Sequence, residues 1–208
     1  MKKVSAIIIV CLLAVTVLWR LNNSYAAYKQ LPVVTVSEIP GSISEFISLR
    51  DRIAKTPEGG ATLMIIALYI YSVNESLGLQ CLTVAIDKKW IQKGKKGYKG
   101  YQPSNADIMR FKMRIKGKNG YKVRSYFPGA TPANGYKLPS PPYKFQWGLN
   151  PYSDKKKKLF KLMIKSSGAD NPRPLTVHPN SKGIYKAYEW SSMTLGVRKP
   201  ASNESDDL

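Results

Sequence analysis

At 208 residues, 43% hydrophobic and 22% charged, the chain has the length of one ordinary domain, and its composition excludes both a disordered chain and a bundle of membrane spans. Thirty-three Lys and Arg against 13 Asp and Glu give a formal net charge of +20, a field that attracts polyanions: nucleic acid, anionic lipid or an anionic envelope polymer. The single histidine, His178, excludes a histidine-based metal cluster and any two-histidine mechanism.

The N-terminus has the three parts of a bacterial-type export signal: Lys2 and Lys3, an apolar run over residues 4–19, and a polar stretch in which Ser24 and Ala26 supply the small residues that signal peptidase requires. Cleavage is expected after Ala26, which makes residues 1–26 a signal peptide. An uncleaved N-terminal membrane anchor is the alternative, although the run falls short of the roughly 20 apolar residues that span a bilayer. Cys11 sits in mid-run after Val10, which argues against a lipoprotein. Loss of the signal leaves Cys81 alone among apolar neighbours, so the exported chain has no internal disulfide and Cys81 is expected as a buried thiol. Export also makes lipid headgroups and cell-wall polymers more accessible partners than nucleic acid.

Residues 27–41 read as a linker with a β segment at 33–36. Ser42 and Glu45 have the spacing of a capping box and start a helix whose Ile43, Phe46, Ile47 and Ile53 form an apolar stripe. Thr56-Pro57-Glu58 starts a second helix with a cap residue, a proline at the first helical position and an acid near the positive end of the dipole. Its body is apolar nearly all round, which predicts burial on most sides, and Gly59-Gly60 offers a close backbone approach. A third helix is expected over residues 76–90, followed by a basic, glycine-spaced loop over 93–103. The remainder reads as β: strands at 108–115, 121–127, 143–149, 159–165, 175–178, 184–190 and 193–198, and a disordered acidic tail from 201. Helices first and strands afterwards predict an α+β domain over residues 42–200, its N-terminal helices (42–90) packed on one face of a C-terminal antiparallel sheet (108–198). That order, with a tryptophan on a late strand, resembles cone-shaped NTF2-like domains.

Asn119-Gly120 marks a hairpin turn between residues 108–115 and 121–127. A three-residue loop pairs Ile115 with Val123 and Phe111 with Phe127, which keeps one face apolar. The same register sets Arg114 opposite Arg124 and Lys116 opposite Lys122, with Lys112 alongside. Like charges directly across a strand pair destabilise it by up to about 1 kcal/mol, so these five residues are the candidate anion-binding set; basic side chains fanned into solvent are the plainer explanation.

His178 is expected at the surface, and Lys155, Lys156, Lys157 and Lys158 at a solvated hairpin end. Trp90, Tyr98 and Tyr101 interleave with lysines, an arrangement able to stack bases or sugars, or simply the partly packed aromatics of a mobile basic loop. Asp170 suits the capping of turn N–H groups, and Arg173 is held between two prolines. A structural Asp170–Arg173 pair is expected there, with a ligand loop as the alternative. No phosphate-binding glycine loop, serine elbow, zinc spacing or calcium loop is present in the sequence, and no metal or cofactor is expected.

Ser167-Gly-Ala-Asp170-Asn-Pro-Arg173-Pro, Trp190-Ser-Ser and Leu195-Gly-Val-Arg198-Lys-Pro, together with Thr56-Pro-Glu-Gly-Gly60 and Leu77-Gly78, resemble the motifs of a family of uncharacterised bacterial exported domains. The resemblance covers residues 56–200 and implies a shared fold without an activity. The function expected is non-catalytic binding of an anionic envelope partner, a lipid headgroup or a cell-wall polymer. An envelope hydrolase acting on an anionic polymer, with Asp170 or Glu189 as acid or base, is the alternative, and nucleic-acid binding stands behind both.

Overall fold

A computed structural model describes residues 28–201; the export signal and the acidic tail expected from the sequence lie outside them. In chain order the elements are β1 (Lys29–Gln30), β2 (Val34–Val36), α1 (Ile43–Ile53), α2 (Pro57–Val73), α3 (Glu75–Ala85), β3 (Ile91–Tyr98), β4 (Tyr101–Pro103), α4 (Asn105–Ile115) and the one-turn α5 (Tyr121–Arg124). The strands β5 (Tyr143–Phe145), β6 (Gly148–Leu149), β7 (Phe160–Ile164), β8 (Arg173–Pro179) and β9 (Tyr185–Glu189) follow. The fold is α+β, as its sequence order predicts.

The helix starts form where the cap residues stand. Ser42 Oγ accepts the Glu45 amide at 3.2 Å, while the Glu45 carboxylate reaches back to the Gly41 amide at 2.7 Å. Thr56 Oγ1 accepts the Gly59 amide at 3.2 Å, and Pro57 costs nothing at a position whose N–H would be orphaned anyway. Fourteen of the seventeen residues of α2 are buried, so this helix is the axis of the core and its apolar body is used on every side.

A five-stranded antiparallel sheet runs in the order β1-β6-β7-β8-β9, and α2 lies against β7, β8 and β9. Its first turn touches β9 directly: a Cβ on Gly60 would stand 2.5 Å from Tyr185 Cβ, so only glycine permits the approach that the Gly59-Gly60 pair suggested. On the other side, Trp147, fully buried, donates its indole N–H to Thr62 Oγ1 at 2.9 Å. The expected β segment at 33–36 is β2, which pairs with β5 in a separate two-stranded ladder.

Four expectations are corrected. The hairpin over residues 108–127 does not form; these residues are α4, a 3-10 turn at Gly117–Gly120 and α5. Ser104 Oγ caps α4 by accepting the Asp107 amide at 3.1 Å, and Asp107, Phe111 and Ile115 recur every four residues as its buried face. Met113, which the hairpin would have placed in the core, is 64% exposed. The third helix stops at Ala85, because Ile86 turns extended and Asp87 caps a separate 3-10 turn at Lys88–Trp90. Residues expected as a basic loop form the β3–β4 hairpin, with Gln102 buried beneath it and accepting the Lys96 amide at 3.2 Å. In place of a last strand at 193–198 there is a 3-10 turn, Ser191–Thr194, that covers β8, with Ser192 Oγ donating to Pro174 O at 2.8 Å.

Candidate binding surfaces

With the hairpin gone, the five basic residues of the candidate set separate. Arg124 turns inward from α5 and donates to the Tyr136 carbonyl at 2.9 Å, while Lys122 lies over the Tyr121 ring, 6.0 Å from its centroid. Lys112 and Lys116 stay together at the end of α4, and Arg114, half-buried, lies on the opposite side of the helix from them. The 100° step of a helix sets Lys112 and Lys116 on one flank of its outward face and Arg110 on the other, with Arg114 behind Arg110 toward the buried side. Between the flanks run Met109 and Met113, one turn apart and each 64% exposed. The one carboxylate of α4, Asp107, points the other way, 8% exposed, and holds Arg110 at 2.7 Å.

The lysine flank meets a second basic element. Glu75, the first residue of α3, is salt-bridged to Lys116, and that hydrogen bond, together with the charges of Lys116, Lys112 and Lys96, holds its carboxyl below the usual carboxylate range against the opposing effect of partial burial. Lys96 comes from the β3–β4 hairpin, which also carries the exposed Lys93, Lys95 and Lys99. A depression of about 400 Å³ lies between α3 and the hairpin, lined by Glu75, Gln80, Lys95 and Lys96 among others. One carboxylate thus serves as internal counter-ion to lysines from two elements, leaving a surface of net positive charge.

The remaining candidates are structural in their contacts. Asp170 does not pair with Arg173, which corrects that expectation: it takes Arg198 at 2.7 Å, while Arg173 donates to the Gly196 carbonyl at 2.6 Å. The two bonds fasten the segment after the last 3-10 turn to the first residue of β8 and to the loop before it. His178 stands at the surface of β8 with Nδ1 3.1 Å from Asp87 Oδ2. Lys157 lies 3.6 Å from Asp154 at an exposed turn, and Lys155, Lys156 and Lys158 are exposed beside it. Glu189 accepts from Thr176 Oγ1 at 2.9 Å. Among the described residues no group of three or more His, Cys, Asp or Glu is placed to hold a metal, and no helix is long and apolar enough to cross a membrane.

Met109, Met113, Arg110 and Glu75 were missed by sequence reasoning. Ser104 and Asp107, spaced as a helix cap, were the available signal: reading them as one would have put residues 109–116 on a helical wheel and brought the methionine stripe into view.

No curated protein and no solved structure matches the chain. Residues 38–201 match the Domain of unknown function (DUF6935), and the protein belongs to that family.

Proposed function

We propose that the protein is a non-catalytic binding domain of the cell envelope that docks on an anionic lipid surface through the outward face of α4 and the neighbouring lysine hairpin. The observation that carries this reading is the pairing of Met109 and Met113, 64% exposed, with basic flanks on both sides and no carboxylate on that face of the helix. An anionic polymer would reward the charges alone, whereas a bilayer interface rewards the charges and the exposed thioether side chains together. Each basic side chain near an anionic membrane contributes about 1 kcal/mol, so Arg110, Lys112 and Lys116 supply a binding energy that salt weakens and the methionines supply one that salt spares.

Co-sedimentation of the protein lacking residues 1–26 with phosphatidylglycerol vesicles, phosphatidylcholine vesicles and purified cell wall, over a salt series, tests it. Binding to the anionic vesicles should fall in Lys112→Ala/Lys116→Ala and again in Met109→Ser/Met113→Ser. Equal binding to both vesicle types removes the proposal. Cell-wall binding indifferent to the methionine changes replaces lipid with polymer as the partner.

A further inference from the structure

We propose that a second site, the cleft between the start of α4 and the end of β9, binds a pyranose unit of an uncharged glycan, with Trp90 as its stacking platform. The cleft holds about 440 Å³, within the range of small-molecule sites, and is lined by Trp90, Tyr188, Trp190, Asp107, Arg110 and Glu189, among others.

Its aromatic corner is built rather than incidental. Asp87 Oδ1 accepts the Lys89 amide at 2.9 Å and so caps the 3-10 turn that presents Trp90, while the Asp87 amide donates to Ala187 O at 2.9 Å and ties that turn to β9, which presents Tyr188. The two rings meet edge to face, centroids 6.0 Å apart at 69°. Lys89 Nζ sits 4.9 Å from both rings and donates to the Tyr188 hydroxyl at 2.7 Å, and the His178 ring closes on Tyr188 from 6.0 Å. Trp90 is nevertheless 39% exposed, so with Lys89 over the ring and Tyr188 at its edge, part of a large apolar surface is fixed in orientation and left in water.

The polar lining selects among ligands. In a chain with 33 basic and 13 acidic residues, this cleft sets two carboxylates, Asp107 and Glu189, against the guanidinium of Arg110 and the Lys89 ammonium at its aromatic rim, so its charges balance and do not by themselves recruit an anion. An acyl chain would require an apolar lining throughout. Arg110, 55% exposed and oriented by Asp107 at 2.7 Å, keeps N–H donors for a ligand oxygen. Glu189 spends one oxygen on Thr176 and presents the other as an acceptor. A planar apolar face with fixed donors and acceptors beside it matches a pyranose, whose C–H face stacks on an aromatic ring while its hydroxyls bond at the edge.

Calorimetric titration of the full-length protein with maltotetraose, cellotetraose and chitotetraose tests the site. At least one should bind in the millimolar range or tighter, and Trp90→Ala should weaken it by about tenfold or more while anionic-vesicle binding stays as in the wild type. Glu189→Gln, which keeps the Thr176 bond and so spares the fold, should weaken it as well. Failure of all three tetrasaccharides to bind, or equal binding by both variants and the wild type, overturns the proposal, and neither outcome bears on the lipid-docking face.

Discussion

Gly78 of α3 lies directly against the backbone of Tyr71 in α2: a Cβ at residue 78 would stand 2.1 Å from Tyr71 Cα and 2.5 Å from its amide nitrogen. The two helices therefore cross at a separation that only glycine allows, and the contact falls where α2 is buried on every side. Gly78→Ala has to push the helices apart, because the obstructing atoms are backbone. Overpacking of this kind should cost about 1 to 3 kcal/mol, read as a lowered midpoint in urea unfolding; an unchanged midpoint would show that the helices do not cross there.

Tyr71 itself carries a second, opposite prediction. Its hydroxyl is buried without a hydrogen-bond partner, and burial, reinforced by the charge of Glu75, pushes its pKa up to about 12. The ring contributes through packing, with Phe111 at 5.8 Å, and the oxygen contributes only a desolvation cost. Tyr71→Phe should keep the packing and stabilise the fold by about 1 kcal/mol, measured as a raised unfolding midpoint. A loss of stability would mean that the hydroxyl has a partner.

Lys186 gives the fold an alkaline pH dependence. Burial first, and the charge of Arg50 second, lower its pKa from 10.5 to about 8, while its ammonium donates to the Val84 carbonyl at the end of α3. The folded state releases this proton before the unfolded state does. Between pH 8 and 10.5 the unfolded chain binds more protons, so this residue's contribution to stability rises with pH across that window and is complete above it. The difference in unfolding free energy between wild type and Lys186→Met should change by a few kcal/mol from pH 8 to 10.5. A difference independent of pH would contradict the burial of the charge.

Cys81 should be chemically silent. It is fully buried in α3, and burial raises its thiol to about 12, so the thiolate that reacts is scarce at neutral pH. In a Cys11→Ser background, an aromatic disulfide reagent at pH 8 should label no thiol until denaturant is added, then one per chain. Prompt labelling of the native protein would place Cys81 at the surface.

Glu75 restrains the basic surface that surrounds it. Glu75→Gln removes the internal counter-ion of Lys116, Lys112 and Lys96 without changing side-chain size. Binding to phosphatidylglycerol vesicles should become tighter, and its fall with added salt steeper. Weaker binding would remove this lysine cluster from the docking surface.

The parts of the fold that were legible in the sequence are those settled by neighbours along the chain. Ser42 and Thr56 announce their helices through cap chemistry that acts within four residues, and residues 160–164 and 185–189 are short apolar-rich runs between turn-forming stretches, as sheet strands are. Residues 108–127 were misread because Phe111 and Ile115 satisfy both a two-residue and a four-residue repeat, and the turn signal of Asn119-Gly120 outweighed the cap at Ser104. The β3–β4 hairpin was hidden for another reason. Its glycines carry no strand signal and are selected by distant contacts: Gly97 lies against Thr83 of α3, and Gly94 against the Gln102 side chain. The basic residues were visible by type, and only the helix decided which of them stand together.

The pairing of β1 with β6 and of β2 with β5 joins residues 29–36 to residues 143–149. The surface that covers α2 arrives later still, with β7, β8 and β9. A chain synthesised from its N-terminus can pack α2 against α3 early, but β1 and β2 wait for partners more than 100 residues downstream and the sheet side of α2 stays uncovered until β7, β8 and β9 arrive. Closure of the sheet side of the core is therefore a late event that depends on long-range contacts, the kind that folds slowly.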